Sequence, residues 1–306
     1  MRFYSHGKLL ITGEYFVLDG AMALAVPTKF GQSLEIENIP EEKVIWDSLG
    51  HEGNTWFRCE IPLDEISGTS SSVYHDEHKE IYTGILEILR SANSLNNGIF
   101  NEGKGYQVKT KLDFPQNWGL GSSSTLINNV ANWFKIDPFH LLQQTFGGSG
   151  YDIAAARSSQ PIIYQLTDRE SKYLSVDFDP PFKDELFFVH LRKKQNSRSS
   201  IAHYKSRPQE LLNDHLEKIS SLTQSFIHCK DLSEFKLLID IHETLVSTFL
   251  DLPKVKFEIF PDYPGAIKSL GGWGGDFILA TGNEREMEYF KTKGYPTILP
   301  YREMVL

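Results

Sequence analysis

One segment of the chain, WGLGSSST at residues 118–125, combines groups that can bind phosphate. Its two glycines allow a tight backbone turn that leaves room for a ligand. Ser122, Ser123 and Ser124 follow at the predicted start of a helix, where unpaired backbone N–H groups and the helix dipole favour an anion. The chain contains no GxxxxGK[ST] sequence, so a Walker A loop is excluded. The segment predicts a phosphate site of another kind, and a serine-capped helix after a glycine turn is the alternative.

Two ionisable residues lie where a catalytic centre can form. Asp152 follows the glycines of GGSGYDIAAA, residues 147–156, whose small side chains allow close packing of the backbone. Lys8 precedes the apolar run at residues 9–11, in a strand that is predicted to be buried, where lysine is rare unless paired. An Asp–Lys pair in a cleft is a candidate catalytic dyad. The alternatives are a helix-capping aspartate and a lysine at a strand edge.

A third glycine-rich segment, GGWGGD at residues 271–276, precedes an apolar strand predicted at Phe277–Ala280. Four glycines around Trp273 predict a loop that approaches another backbone or a ligand. A tight turn before a buried strand is the alternative.

Two charged clusters allow more than one interpretation. Basic residues gather near residue 195 in a chain of net charge −9, where they can bind a substrate or form a solvated strand end; the family resemblance described below favours substrate binding. These residues are Arg192, Lys193, Lys194 and Arg198. The sequence HDEH at residues 75–78 resembles part of a metal site, but no further ligands are visible and a solvated helix start is favoured.

The composition is that of an ordinary globular protein. The 306 residues are 40% hydrophobic and 23% charged, enough for one large domain or two modest ones. A net charge of −9 argues against non-specific nucleic-acid binding. No signal peptide or membrane-spanning run is predicted, and Cys59 and Cys229 match no metal or redox spacing. We therefore expect a cytoplasmic protein that contacts neither nucleic acid nor membrane.

The pattern of apolar residues predicts α+β structure in both halves of the chain. The pair Asp19-Gly20 between apolar runs at 15–18 and 22–26 predicts a β-hairpin. Further strands are predicted at 106–114, 186–191 and 277–280, and helices at about 75–95, from 122, from 137, at 210–228, at 232–250 and at 283–293. A domain boundary is predicted between residues 160 and 180.

Four segments, in this order, resemble the GHMP kinases. GKLLITGEY resembles the first block of the family, FPQNWGLGSSS its phosphate loop and GGWGGDF its third block. GSGYDIA resembles the acid block of the phosphomevalonate kinase branch, and GYDIA also marks a bacterial branch of the family. The resemblance spans nearly the whole chain.

The resemblance implies a two-domain GHMP kinase fold with the active site between the domains. An N-terminal α+β domain that binds ATP would cover residues 1–170, and a ferredoxin-like domain residues 171–306. The implied activity is Mg²⁺-dependent transfer of the γ-phosphate of ATP to phosphomevalonate or mevalonate, in isoprenoid precursor synthesis. An inactive regulatory or ligand-binding member of the fold and a diphosphomevalonate decarboxylase-like enzyme stay open, as does a homodimer.

The resemblance also implies roles for single residues. Lys8 and Asp152 would flank the acceptor oxygen, and Ser123 would bind Mg²⁺. The ATP-binding residues would be Trp118, Gly119, Leu120, Gly121, Ser122, Ser123 and Ser124. The substrate-binding residues would be Glu14, Tyr15, Arg198, Gly272 and Gly274. Two features depart from mevalonate kinases: Gln143, Gln144 and Thr145 stand where a Mg²⁺-binding glutamate is placed, and Trp273 enlarges a loop that is usually smaller.

Overall fold

The computed structural model shows a mixed α+β protein and describes residues 1–70, 78–100, 104–168, 170–193 and 197–306. Its strands are β1 Arg2–Thr12, β2 Ala23–Ile39, β3 Lys43–Leu49, β4 Thr55–Pro62, β5 Gly105–Leu112, β6 Ile162–Thr167, β7 Glu170–Ser175, β8 Leu186–His190, β9 Ile267–Leu270, β10 Phe277–Thr281 and β11 Ile298–Pro300. Its helices are α1 Leu63–Ser67, α2 Lys79–Leu95, α3 Ser122–Phe134, α4 Pro138–Gln144, α5 Tyr151–Arg157, α6 Ser197–Lys205, α7 Leu212–His228, α8 Leu232–Leu250, α9 Val255–Ile259, α10 Glu288–Thr292 and α11 Tyr301–Met304. The predicted α+β class is confirmed.

The chain folds into two compact units that interleave along the sequence. Unit 1 comprises Met1–Gly7, Phe30–Gln116 and Gly121–Arg157. Unit 2 comprises Lys8–Lys29, Asn117–Leu120 and Ser158–Leu306. The predicted division into residues 1–170 and 171–306 is a single cut in the sequence, which these interleaved units do not test, and it stays a prediction.

Unit 1 is a sheet packed against helices. Its strands run in the order β4-β3-β5-β2, with β3 antiparallel to β4, β3 parallel to β5 and β2 antiparallel to β5. Strand residues such as Trp46 and Val108 share one core with Leu89 of α2 and with Val130 and Phe134 of α3. The apolar stripe predicted for α3 is therefore the face that it buries against the sheet.

Unit 2 contains an antiparallel sheet with the strand order β11-β8-β10-β9. All five residues of β10 are buried, which agrees with the apolar sequence of its first four, Phe277–Ala280. The hairpin of β6 and β7 pairs with the start of β2. A second core forms where Phe16 and Tyr204 meet Phe249 of α8 and Trp273.

Several predicted boundaries are confirmed by capping contacts. Helix α4 begins after Asp137, whose carboxylate accepts a hydrogen bond from Phe139 N–H at 2.8 Å. Helices α7 and α8 match the predicted helices at 210–228 and 232–250. The capping box of Asn283 and Glu286 is present, with Asn283 N–H donating to Glu286 Oε2 at 2.8 Å, although helix α10 itself covers only Glu288–Thr292.

The predicted strand at residues 15–18 is wrong. Left-handed φ angles of 91° at Gly13 and 61° at Tyr15 turn the chain out of the extended conformation directly after β1. A 3-10 helix, Phe16–Asp19, follows and ends at Gly20, so the Asp19-Gly20 pair ends a helical turn and not a hairpin strand.

Three further predictions have different outcomes. Helix α2 confirms the predicted helix from residue 79 onward, whereas His75, Asp76 and Glu77 of the candidate metal cluster lie outside the described residues. Cys59 and Cys229 are buried free thiols. In the described part of the chain, every helix is too short or too polar to cross a bilayer.

Candidate functional site

The start of α3 lies in unit 1 and has the properties of an anion site. Gly121 has a φ of 89° and is the N-cap residue, so no side chain at that position caps the first turn. Ser123 is exposed and Ser122 is half-exposed. Ser124 is buried and its hydroxyl donates to Gly121 O at 2.8 Å. Thr125 N–H also donates to Gly121 O, at 3.0 Å, so Ser124 and Thr125 close the turn, while the hydroxyls of Ser122 and Ser123 lie at the helix start.

A buried polar network holds the same helix against β1 and β2 in unit 1. Asn129 Oδ1 accepts from the Ser5 hydroxyl at 2.7 Å, and Asn129 Nδ2 donates to Gln32 O at 2.9 Å. Asn128 Nδ2 donates to the Ser5 hydroxyl at 2.8 Å, and the Thr125 hydroxyl donates to Gln32 Oε1 at 2.7 Å. Because buried polar groups are costly to leave unpaired, these bonds fix the rotation and depth of α3.

Asp152 also lies in unit 1, in the first turn of α5. Gly148 and Gly150 precede it with φ angles of 108° and 86°. The aspartate is half-buried, and its Oδ1 accepts from Ile153 N–H at 3.1 Å. In the stretch where mevalonate kinases place a glutamate, Gln143 Nε2 donates to Gly148 O at 3.1 Å. This amide ties the end of α4 to the glycine turn before Asp152.

Lys8 lies in unit 2 and contacts residues Trp118–Leu120, the first arm of the segment that is predicted to bind phosphate. Lys8 N–H donates to Leu120 O at 2.9 Å, and Lys8 Nζ donates to Gly119 O at 3.3 Å. The Trp118 ring packs edge-on against Phe277, with ring centroids 5.5 Å apart. Strand β1 and the sheet residue Phe277 thus fix this arm.

Glu14 is part of a buried quartet in unit 2 that consists of Glu14, His242, Glu243 and Lys268. Lys268 Nζ lies 2.5 Å from Glu14 Oε1 and 3.6 Å from Glu243 Oε1. His242 Nε2 lies 3.2 Å from Glu14 Oε2. The side chains of all four are at most 2% exposed. The quartet ties the end of β1 to α8 and β9.

Burial controls the protonation of the quartet. It raises the pKa of Glu14 and raises the pKa of Glu243 from 4.5 to about 7, although Lys268 opposes both shifts. It lowers the pKa of His242 well below 6.5. Because Lys268 supplies one positive charge to the two carboxyl groups of the quartet, burial favours a proton shared within it at pH values where exposed glutamates are ionised.

Tyr15 and the third glycine-rich segment meet within unit 2. The Tyr15 hydroxyl accepts from Trp273 N–H at 2.7 Å, and the Trp273 indole donates to Pro253 O at 2.9 Å. Gly274 has a φ of 74°, and Gly275 N–H closes the loop on Gly272 O at 3.1 Å. The large Trp273 side chain is therefore accommodated by burial, and it anchors the loop.

The basic cluster is described in part. Arg192 and Lys193 are exposed, and Arg192 donates to Gly294 O at 3.4 Å. Lys194 lies outside the described residues, and so does the side chain of Arg198. Their predicted substrate contacts stay predictions.

The predicted site residues are thus distributed over both units. Unit 1 holds Gly121, the three serines and Asp152, whereas unit 2 holds Lys8, Glu14, Tyr15, the arm Trp118–Leu120 and the third glycine loop. The sequence interpretation missed the partners of Glu14. Lys268 between Ile267 and Leu270 in the short strand β9 was the available signal, because a buried lysine needs a partner.

The chain matches no protein-family model and no curated protein sequence. Solved structures do match it. The Methanococcus jannaschii mevalonate kinase is 15% identical with a TM-score of 0.70, over 98% of this chain and 96% of that chain. A Streptococcus pneumoniae phosphomevalonate kinase in complex with phosphomevalonate and AMPPNP is 16% identical with a TM-score of 0.69, over 98% and 99%. A Lactococcus lactis galactokinase complexed with galactose is 13% identical with a TM-score of 0.68, over 97% and 92%.

These matches extend over nearly the full length of each chain. They establish the class of the fold, which is that of the GHMP kinases, and the predicted resemblance is confirmed at this level. The three matched structures differ in their named substrates although their TM-scores are nearly equal, so the fold alone does not select a substrate.

Proposed function

We propose that this protein is an ATP-dependent kinase that transfers the γ-phosphate to a small anionic metabolite. The start of α3 is the observation that carries the proposal. It presents a helix N-terminus after a left-handed glycine, with the hydroxyls of Ser122 and Ser123 beside it, in a chain with the fold of known kinases. The AMPPNP in one matched structure supports ATP as the nucleotide.

In this proposal the segment Trp118–Ser124 binds the phosphates of ATP. Ser123 is the proposed Mg²⁺ ligand, and its exposed hydroxyl fits that role because Mg²⁺ uses few protein oxygens and keeps waters and substrate phosphates as its other ligands. Bound Mg²⁺ would neutralise charge on the β- and γ-phosphate oxygens. Ser124 has a structural role in this segment, because its hydroxyl donates to Gly121 O.

The proposed reaction is a direct displacement at phosphorus. An acceptor oxygen forms a bond to the γ-phosphorus, the bond from that phosphorus to the β–γ bridging oxygen breaks, and ADP leaves with the electron pair. Lys8 would stabilise the negative charge that develops. Asp152 would take the proton of an alcohol acceptor, whereas an ionised phosphate acceptor needs no base.

Phosphomevalonate is the proposed acceptor, followed by mevalonate. An acceptor with a carboxylate and a phosphate suits basic side chains, and Arg157 and Lys193 are exposed cations, with Arg198 predicted to join them. Glu14 and Tyr15 are buried, so we propose that they support the substrate-binding surface from beneath. Tyr15 would do so by holding the third glycine loop, in which Gly272 and Gly274 would contact the substrate.

The test is acceptor-dependent release of ADP by the purified protein, combined with calorimetric titration of Mg-AMPPNP. We expect nucleotide binding and ADP release that requires phosphomevalonate or mevalonate. Nucleotide binding without turnover on any acceptor would favour an inactive regulatory member of the fold. Release of CO₂ from diphosphomevalonate would favour the decarboxylase.

A further inference from the structure

We infer that Asp276 is a positioning residue for the proposed ATP-binding segment, acting through contact with Gly119. The inference rests on the proposed function and adds a residue to it. A Cβ atom built on Gly119 would lie 2.4 Å from Asp276 Cγ and 2.6 Å from its Oδ2. Cβ atoms in folded proteins do not approach so closely, so the carboxylate occupies the space that a side chain at position 119 would need.

The contact fixes a residue that would otherwise be free to move. Gly119 has a φ of 67°, and glycine is the residue with the most backbone conformations available to it. Lys8 Nζ holds the carbonyl of Gly119, and Lys8 N–H holds the carbonyl of Leu120. The carboxylate of Asp276 packs on the α-carbon of Gly119 and so restrains the part of this residue that the lysine does not hold.

Backbone hydrogen bonds hold Asp276 in place on the sheet of unit 2. Its N–H donates to Lys193 O at 2.8 Å, and its carbonyl accepts from Leu191 N–H at 2.8 Å. The next residue, Phe277, begins the fully buried strand β10. Asp276 adopts a left-handed φ of 49°, which aspartate and asparagine tolerate better than most residues. The sheet of unit 2 thereby sets the position of the carboxylate, and the carboxylate sets the position of Gly119.

The first test separates shape from charge with two substitutions at one position. Asp276→Asn keeps the shape and the left-handed preference, whereas Asp276→Gly empties the space above Gly119 without backbone strain. Asp168 supplies the matched control, because it is an exposed aspartate in the same unit with a left-handed φ of 52°. The readout is the dissociation constant of Mg-AMPPNP, measured by calorimetry, together with KM for ATP and kcat.

We expect Asp276→Gly to weaken Mg-AMPPNP binding by about tenfold and to raise KM for ATP more than it lowers kcat. Asp276→Asn should bind Mg-AMPPNP with nearly the dissociation constant of the parent protein. Asp168→Gly and Asp168→Asn should bind it as tightly as the parent protein does. The inference is overturned if Asp276→Gly binds as tightly as Asp168→Gly, or if Asp276→Asn is as impaired as Asp276→Gly.

The second test needs no nucleotide. Gly119 and Gly147 have nearly equal φ angles of 67° and 65°, but a Cβ on Gly147 would meet no atom within 4 Å. We expect Gly119→Ala to lower Tm more than Gly147→Ala, and Asp276→Gly to recover part of that loss in the double variant. Strictly additive effects would contradict the contact. If the parent protein binds no nucleotide, the proposed function fails, and this test still decides whether Asp276 restrains Gly119.

Discussion

Ser123 and Ser124 are neighbours in sequence but differ in environment. Ser123 is exposed, whereas Ser124 is buried and donates to Gly121 O. We expect Ser123→Ala to reduce turnover and raise the Mg²⁺ concentration required for half-maximal rate, with an unchanged Tm. Ser124→Ala should cost about 1 kcal/mol of unfolding free energy, because it removes one of the hydrogen bonds that close the first turn of α3 on Gly121 O.

Paired melting curves and Mg²⁺ titrations of the two serine variants check this prediction. An earlier melt of Ser123→Ala with full turnover would make the serine structural.

The effect of Asp152→Asn depends on the chemistry of the acceptor. An alcohol must lose a proton as it attacks phosphorus, and general-base catalysis contributes about 10²- to 10⁴-fold to such reactions. The ionised oxygen of a phosphate acceptor has no proton to lose. We therefore expect Asp152→Asn to reduce kcat strongly on mevalonate and only mildly on phosphomevalonate, as measured on both acceptors with one preparation. Equal losses of kcat on the two acceptors would show that Asp152 is not a general base.

Glu243 makes stability depend on pH. Its pKa is raised from 4.5 to about 7, so between these values the folded state binds a proton that the unfolded state has released. This group therefore lowers the free energy of unfolding as pH rises from about 4.5 to about 7. We expect Glu243→Gln to lose that dependence and to gain stability relative to the parent protein as pH rises to 8.

Urea unfolding from pH 5 to 8 measures the effect of Glu243→Gln, with the exposed Glu258→Gln as the control. A constant difference between Glu243→Gln and the parent at every pH would contradict the proton in the quartet.

The sequence predicted single site residues unevenly. The type and spacing of the serines, Lys8 and Asp152 were sufficient to predict them as site residues, because a helix start or a glycine turn is determined by residues that are neighbours in the sequence. The partners of Glu14 come from α8 and β9, more than 200 residues further along the chain. No local pattern links such distant residues, and the contact of Asp276 with Gly119 is invisible in the sequence for the same reason.

At the scale of elements, the position of α3 depends on its buried amides. Asn129 bonds both Ser5 and Gln32 O, whereas Asn132 on the same helix is exposed. We expect Asn129→Ala to lower the free energy of unfolding by about 1–3 kcal/mol, because it leaves buried groups unpaired. Asn132→Ala should be nearly neutral. Chemical denaturation of both variants measures the difference, and equal stabilities would show that the network does not hold the helix.

Periodicity predicted the long elements well and the first turn poorly. Helices α3, α7 and α8 each bury one apolar face, so their spacing is visible in the sequence. The run at residues 15–18 is equally apolar, but left-handed angles at Gly13 and Tyr15 place it in a 3-10 helix. A tyrosine with a φ of 61° is uncommon, and it is held by tertiary contacts such as its bond from Trp273 N–H.

At the scale of the whole molecule, the order of four short segments predicted a fold that overall identities of 13–16% with solved kinases could not have indicated alone. The segments are the parts of the chain where glycines, serines and charged residues occur together in short, recognisable patterns. The acceptor is not determined in this way, since it depends on a few side chains of different loops.

Isotope labelling tests the proposed transfer of the γ-phosphate most directly. The purified protein is incubated with γ-¹⁸O-labelled ATP, Mg²⁺ and, in turn, phosphomevalonate, mevalonate, homoserine and galactose, and the products are analysed by mass spectrometry. We expect labelled phosphate on phosphomevalonate, with a smaller yield on mevalonate. Label recovered only in ATP or in inorganic phosphate would contradict a kinase, and label placed preferentially on galactose or homoserine would contradict the proposed acceptor.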